Sequence, residues 1–175
     1  MLDHLRRIWI PLVLFVAAGV GYAALVLWTA ERLPDQVVTN FGSDGSAGPQ
    51  ASKSELISTS LGVAGLIPLI FLGVGIFLPK FSDDGFNLPH REYWLHPQRR
   101  AKTMADFCGG FLLLGVVVLV FMAYTHGLIY RTNLSDPPGS VVLKWELPLL
   151  LAVIAGYLFW LFARYSKIPD ENFFE

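Results

Sequence analysis

The sequence has little charge and almost no cysteine. Only 15% of its 175 residues are charged, against about 25% in an ordinary soluble domain. Its one cysteine, Cys108, excludes an internal disulfide and any structural metal site built on several thiolates. The formal net charge is −1 and no basic tail is present, so nothing indicates nucleic-acid binding. These shortages favour a membrane protein over a soluble domain.

The hydrophobic residues, 54% of the chain, are concentrated in long uncharged runs. A membrane-spanning helix needs about 20 mostly apolar residues. We therefore predict four transmembrane helices, at about residues 8–30, 56–79, 107–130 and 147–163. A signal-peptide core has only about 7–15 apolar residues, so we expect the first helix to be retained. Short connections favour antiparallel neighbours, and the predicted fold is a single-domain, all-α membrane protein with its four transmembrane helices in an antiparallel bundle.

The Lys and Arg residues outside these runs predict an orientation. Nine of the thirteen lie in the N-terminal flank, in residues 80–106 and in the C-terminal flank; four lie in residues 31–55 and 131–146. Basic flanks of membrane proteins stay in the cytoplasm. We therefore expect a multi-pass protein of the bacterial inner membrane, with both termini and the loop 80–106 in the cytoplasm. Residues 31–55 are then an extracytoplasmic loop.

No Asp, Glu, Lys or Arg lies within a predicted span, which disfavours proton pumps and ion pathways. His126 lies near the outer end of the third span, where we expect a hydrogen-bonded interfacial residue; a functional imidazole is the alternative. Small residues four positions apart predict close helix packing. The pairs are Ala17 with Gly21, Gly19 with Ala23, Ser58 with Gly62, and Ala152 with Gly156. Pro68 predicts a kink in the second helix.

The segment NLPHREYWLHPQRRAKTMADF, residues 87–107, shows no catalytic or metal-binding pattern. His90 and His96 are six residues apart, which separates them by about 600° on a continuous helix and places them on different faces. The segment has no Ser or Cys nucleophile and no glycine-rich phosphate loop. In the outer loop, Asp44 lacks the spaced carboxylates of a calcium loop. We predict a non-enzymatic protein without a cofactor or metal.

The same segment predicts where the third helix begins. Proline is favoured in the first turn of a helix, so a helix starting at Pro97 can run directly into the third span. Arg99, Lys102 and Asp106 then share one face, and Lys102 can pair with Asp106. This pattern predicts one charged face at the start of the helix.

Aromatic and basic side chains of the segment are typical of a membrane surface. Tyr93 and Trp94 suit the headgroup region. Arg99 and Arg100 suit anionic headgroups, each worth about 1 kcal/mol near such a surface. We interpret the segment as a membrane-surface clamp that fixes the register of the helices. The alternative is a docking platform for a cytoplasmic protein partner, because Tyr, Trp and Arg are enriched in contact cores.

The outer loop carries the pattern RLPDQVVTNFGSDG, followed by Ser52 and Lys53, and its DQVVTNF portion predicts a short extended stretch. The pattern resembles the membrane family called domain of unknown function 1648 (DUF1648), whose members read Leu-Pro-x-x-Val-Pro-Thr-His-Phe or Trp, then Gly, then Ser-Lys. That family often has Asn-Ile-Pro-Asn, Tyr-Trp-Leu, Pro and Arg-Arg after its second span. The matching residues, which we take as the candidate motif and interface residues, are Pro34, Thr39, Asn40, Phe41, Gly45, Lys53, Asn87, Pro89, Tyr93, Trp94, Pro97, Arg99 and Arg100.

The resemblance covers about residues 8 to 130 and implies a function. DUF1648 includes the longer SdpI-like proteins, which confer immunity to a secreted bacterial killing factor and take part in signalling. We therefore expect a non-enzymatic membrane protein in toxin immunity or envelope signalling. The alternatives are an accessory subunit of a larger membrane complex and a small-solute transporter. This sequence has Asn40 where the family has His, and Val38 where it has Pro; an Asn side chain forms hydrogen bonds but does not titrate.

Overall fold

The computed structural model describes residues 2–80, 85–135, 138–141 and 143–168. Over this part of the chain the protein is mostly helical. The elements are α1 (Leu2–Ala30), β1 (Gln36–Val38), β2 (Gln50–Ser52), α2 (Lys53–Phe77), α3 (Arg91–Trp94), α4 (Pro97–Asn133) and α5 (Glu146–Tyr165). A 3-10 turn over Leu78–Lys80 continues α2.

Four of the described helices, α1, α2, α4 and α5, are long and apolar enough to cross a membrane. The prediction of four such helices is confirmed, and they are compatible with a multi-pass membrane protein. The longest is α4, which begins at Pro97 as predicted, with the proline in its first turn. Its 37 residues measure about 55 Å, whereas the hydrocarbon core of a bilayer is about 30 Å thick. The helix therefore extends well beyond the predicted span 107–130.

The core of the molecule is a seam between α1 and α4. Its residues recur mainly at seven-residue intervals, which is the spacing of supercoiled helices with interlocking side chains. They are Ile8, Phe15, Tyr22 and Thr29 on α1 and Leu112, Leu119 and His126 on α4. The two helices run in the same direction, because Ile8 lies beside Gly109 and Thr29 is bonded to His126.

The other two long helices pack on this pair to different extents. α2 runs in the opposite direction, since Ser60 near its start is bonded to His126 and Gly75 near its end faces Leu112. α5 packs mainly on α4. None of its apolar stretch is buried, and its one buried residue is Tyr165, at the C-terminal end.

Of the predicted glycines, Gly19 meets another helix, but the tightest helix contacts lie at glycines that were not predicted, such as Gly110 and Gly115. A Cβ atom added to Gly21, Gly62 or Gly156 would have no neighbour within 4 Å among the described residues, so the prediction is wrong for these three. A Cβ on Gly19 would make an ordinary contact with Pro68, 3.5 Å from its Cγ atom. The spacing of small residues shows which of them share a face, but not whether that face meets another helix. α2 stays helical through Pro68, and the kink stays a prediction.

A two-stranded ribbon interrupts the otherwise helical fold. β1 and β2 pair antiparallel, with Val37 opposite Ala51. The predicted extended stretch is confirmed at β1, but the all-α prediction missed the pairing of β1 with β2. Val37 is fully buried against Leu33 and Leu56, so the ribbon rests on the beginning of α2.

Candidate functional site

The residues singled out in the sequence form two groups at opposite ends of α4. The first group, within residues 34–53, lies in and around the ribbon, beside the C-terminal end of α4. The second group, within residues 87–100, leads into α4 at Pro97. About 55 Å separates the two ends of this helix. The two groups therefore cannot form one site, and each is described separately.

Asn133, in the last turn of α4, attaches the ribbon to the helices. Its Oδ1 atom accepts a hydrogen bond from the backbone N–H of Val38 at 2.7 Å, and its Nδ2 atom donates to the Val38 carbonyl at 2.9 Å. The same amide also donates to the Ile129 carbonyl, at 2.9 Å. A buried backbone N–H and C=O must find partners. The Asn133 side chain supplies both partners, as a third strand would.

The Ser-Lys pair of the motif joins the ribbon to α2. The Ser52 hydroxyl caps the helix by accepting a hydrogen bond from the Glu55 N–H at 3.2 Å. The Lys53 ammonium donates to the Leu33 carbonyl and lies 3.2 Å from the Asp35 carboxylate. Because the Asp35 side chain is 95% exposed, the ion pair itself contributes little. Ser52 and Lys53 act mainly by connecting the chain before β1 to the start of α2.

Local roles in the loop account for two further motif positions, Gly45 and Phe41. Gly45 has a φ of 82°, which an L side chain rarely adopts, and its carbonyl accepts a hydrogen bond from the Val141 N–H. Phe41 forms an isolated bridge with Ala47 across the loop, and Pro34 is exposed. Hydrogen bonds from the hydroxyl and N–H of Ser46 lower the pKa of Asp44. The aspartate therefore shapes the turn.

Thr39 and Asn40 line a cavity of about 310 Å³, which we call the ribbon-side cavity. It opens between the ribbon and the adjoining ends of α1, α2 and α4. Seven of its eleven lining residues carry a hydroxyl, amide or carboxylate group. The full lining is Tyr22, Thr39, Asn40, Glu55, Leu56, Thr59, Ser60, Val63, Met122, Thr125 and Ile129.

His126 of α4 lies next to this cavity and connects α4 with α1 and α2. Its Nε2 atom is 2.8 Å from the Thr29 hydroxyl on α1, and its Nδ1 atom is 3.3 Å from the Ser60 hydroxyl on α2. The ring is 3% exposed and meets the edge of the Tyr22 ring. The expected hydrogen bonding is confirmed, but the side chain is buried between helices instead of facing the interface.

The hydrogen bonds of His126 favour one neutral tautomer. The Thr29 hydroxyl donates to the Val26 carbonyl at 2.9 Å, so it accepts from a protonated Nε2 atom. The unprotonated Nδ1 atom then accepts from the Ser60 hydroxyl. Because Ser60 also lines the ribbon-side cavity, the cavity wall and the helix contact share one hydrogen-bond chain.

At the opposite end, the second group binds the end of α5. The Trp94 indole N–H donates to the Tyr165 carbonyl at 3.0 Å, and the His90 imidazole lies 3.2 Å from the Ser166 carbonyl. The buried Tyr165 ring stacks on Phe107, with centroids 4.7 Å apart. The Tyr165 and Ser166 carbonyls lie at the end of α5, where carbonyl groups need hydrogen-bond partners from outside the helix. The segment therefore clamps the protein's own helices.

The two arginines have different surroundings. The Arg99 guanidinium lies over the Tyr93 ring, 4.1 Å from its centroid, whereas Arg100 donates to the Pro79 carbonyl at 3.1 Å and so binds the end of α2. The predicted pairing of Lys102 with Asp106 is wrong: Asp106 forms its ion pair with Arg164 of α5, at 2.7 Å. Helical spacing correctly placed Lys102 and Asp106 on one face of α4. The Arg164 side chain of α5 nevertheless reaches the Asp106 carboxylate and forms the ion pair in place of Lys102.

Between α3, α4 and α5 lies a second cavity, of about 490 Å³, which we call the basic cavity. Four cationic side chains and one carboxylate line it, together with two aromatic rings and a hydroxyl. The lining is Tyr93, Trp94, Arg99, Lys102, Thr103, Asp106, Arg164 and Lys167. The other motif residues of this end lie outside it: Asn87 is exposed, Pro89 is partly buried, and Pro97 begins α4.

Sequence reasoning missed several residues on which these sites depend. Asn133, Thr29 and Ser60 are polar residues of long helices, and none of them was assigned a role from the sequence. A signal was present: Thr29 follows Tyr22, and Asn133 follows His126, by seven residues. In the part of the chain that the structure describes, no three His, Cys, Asp or Glu side chains are grouped so that they could hold a metal ion.

Searches of family models, of curated proteins and of solved structures found no match to this chain. Membership of DUF1648 therefore stays a prediction that depends on the motif residues alone.

Proposed function

We propose that this chain is a non-enzymatic, multi-pass membrane protein of the DUF1648 type that acts in toxin immunity or envelope signalling. In this proposal the four apolar helices cross the bacterial inner membrane as an antiparallel bundle with both termini in the cytoplasm. The ribbon-side cavity then faces outward and binds the extracytoplasmic ligand. The supporting observation is that Thr39 and Asn40, two motif residues, line this cavity with polar side chains from three helices.

The chemistry of the cavity is suited to binding a peptide segment. Its volume of about 310 Å³ is at the lower end of the range of about 300–1,000 Å³ for ligand pockets. The hydroxyl and amide groups of Thr39, Asn40 and Thr59 can donate to and accept from peptide groups. Glu55, at the N-terminal turn of α2, adds one carboxylate that favours a basic group on the ligand. The cavity thus offers hydrogen-bonding side chains and one carboxylate as binding groups.

The experiment compares bacteria that lack the gene with bacteria that carry defined variants. We expect deletion to raise sensitivity to a secreted peptide toxin or to alter an envelope-stress response, and the native gene to restore it. A Thr39→Val, Asn40→Leu variant should fail to restore the phenotype because it removes the two hydrogen-bonding side chains that the motif contributes to the cavity. Gln36→Ala, which changes an exposed ribbon residue outside the cavity, is the matched control and should restore it. If deletion alters neither response, the proposal is wrong.

One observation favours a second candidate, an accessory subunit of a larger membrane complex. None of the apolar stretch of α5 is buried, and it exposes large side chains such as Phe159 at 73%. A helix of a neighbouring subunit can cover this face instead of lipid. Purification in a mild detergent tests the candidate: a stoichiometric partner that is lost in a Phe159→Ala, Phe162→Ala variant would support it, and a chain that purifies alone would not.

A further inference from the structure

The basic cavity has a strong excess of positive charge. Arg99 and Lys102 of α4 and Arg164 and Lys167 at the end of α5 supply four cations, and Asp106 supplies the single carboxylate. Two segments about 60 residues apart in the chain supply these charges, so the excess exists only in the folded protein. Such a concave, like-charged surface concentrates anions from its surroundings.

The two guanidinium groups are held in place by aromatic rings. Arg99 lies 4.1 Å from the centroid of Tyr93. Arg164 is bonded to Asp106 at 2.7 Å and lies 5.2 Å from the centroid of Trp160. Stacking fixes the plane of a guanidinium group, and its fork of N–H donors matches the oxygens of a phosphate. The rigid pair therefore favours a phosphate-bearing anion.

The two lysines complete the charged lining. Lys102 and Lys167 are exposed, and neither forms an ion pair with a carboxylate among the described residues. Their long side chains place a mobile ammonium group at the edge of the cavity. These lysines can bind an anion without first breaking a salt bridge.

The position of the cavity points to a lipid as the source of that anion. The uncharged run of α4 begins directly after Asp106, and the uncharged run of α5 ends directly before Arg164. The cavity therefore lies at the boundary between the apolar and the polar parts of both helices, which is the level of lipid headgroups. Trp160 of α5, 51% exposed and stacked against Arg164, offers an apolar surface beside the cavity for acyl chains.

We propose that the basic cavity binds the phosphodiester headgroup of an anionic phospholipid such as phosphatidylglycerol. Arg99 and Arg164 hold the phosphate oxygens, and Lys102 and Lys167 close over the headgroup. The bound lipid bridges α4 and α5, which otherwise share a small interface. The inference rests on the proposed membrane insertion but is independent of the ligand of the ribbon-side cavity.

Native mass spectrometry of the full-length protein, released from detergent and titrated with phosphatidylglycerol or phosphatidylcholine, tests this inference. We expect one tightly bound phosphatidylglycerol and clearly weaker phosphatidylcholine. A Lys102→Gln, Lys167→Gln variant should lose about tenfold or more in phosphatidylglycerol affinity. The control Arg7→Gln, Lys80→Gln removes the same charge at exposed sites outside the cavity and should bind as the native protein does.

Three outcomes would overturn the inference. They are equal binding of both lipids, an equal loss of binding in the control variant, and full competition by soluble glycerol phosphate at the concentration of the lipid. The last result would make the cavity a site for a free phosphate ester. Far-UV circular dichroism of both variants must show native helix content, so that unfolding is not mistaken for lost binding. Fractionation of membranes separates failure of this inference from failure of membrane insertion.

Discussion

Asn133 and His126 are single polar side chains that connect elements distant in the chain. Asn133 bonds both backbone polar groups of Val38, 95 residues away, and His126 connects Thr29 with Ser60. Both are at most 5% exposed. A buried polar group that loses its partner costs about 1–3 kcal/mol, so each of these residues has a measurable effect on stability.

We expect Asn133→Leu to destabilise the ribbon by about 2 kcal/mol or more, because it leaves the N–H and C=O groups of Val38 without partners. Limited proteolysis should then cut between residues 36 and 52 well before the helices unfold. Asn87→Leu, at an exposed asparagine, is the control and should leave the cleavage rate unchanged. Equal cleavage of the Asn133 variant and the native protein would contradict the proposed role.

We expect His126→Ala and Ser60→Ala to be coupled, because the two side chains share a hydrogen bond at 3.3 Å. Double-mutant cycles for such bonds between membrane helices average about 0.6 kcal/mol. Thermal unfolding of both single variants and of the double variant in one detergent measures the coupling energy. Strictly additive losses would show that the bond contributes nothing to stability.

Among the helices, α4 determines the arrangement of the others. It contacts α1, α2 and α5, and its two ends carry the ribbon and the basic cavity. At Gly115 it closely approaches both α1 and α2. A Cβ atom there would lie 2.5 Å from Cε2 of Phe15 and 2.6 Å from Cδ1 of Phe71. No residue larger than glycine fits without displacing a ring from the core.

We expect Gly115→Ala to lower the free energy of unfolding by about 1–3 kcal/mol, the usual cost of overpacking a core. Gly127→Ala on the same helix is the matched control, because a Cβ atom there would have no neighbour within 4 Å in the part of the chain that the structure describes. It should be neutral or stabilising by up to about 1 kcal/mol, since alanine is the better helix former. Chemical denaturation in detergent compares the two variants, and equal stabilities would refute the close packing at Gly115.

For the whole molecule, the orientation in the membrane decides which site meets which compartment. The ribbon-side cavity and the basic cavity lie at opposite ends of a helix of about 55 Å, so a bilayer separates them if α4 spans it. The basic-flank rule predicts that the ribbon lies outside the cytoplasm. The assignment of a toxin to one end and of a cytoplasmic lipid leaflet to the other depends on this orientation.

Thiol labelling of intact cells tests the orientation. We expect Ser46→Cys to react with a membrane-impermeant reagent from outside, and Asn87→Cys to react only after the cells are made permeable. Both positions are exposed, and Cys108, which is buried, is replaced by Ala in both variants. The reverse labelling pattern would overturn the orientation and, with it, the outward-facing ribbon-side cavity.

The sequence by itself determined the four long apolar helices, the start of α4 at Pro97 and the extended stretch at β1. Hydropathy, proline in a first turn and strand propensity act within a few residues, so they can be read from the chain. Only the tertiary structure decided that Asp106 pairs with Arg164, that Gly115 rather than Gly21 meets a neighbour, and that Asn133 holds the ribbon. These contacts depend on how each helix is rotated and shifted against the next. Rotation and shift follow from the packing of side chains far apart in the sequence, which local patterns do not specify.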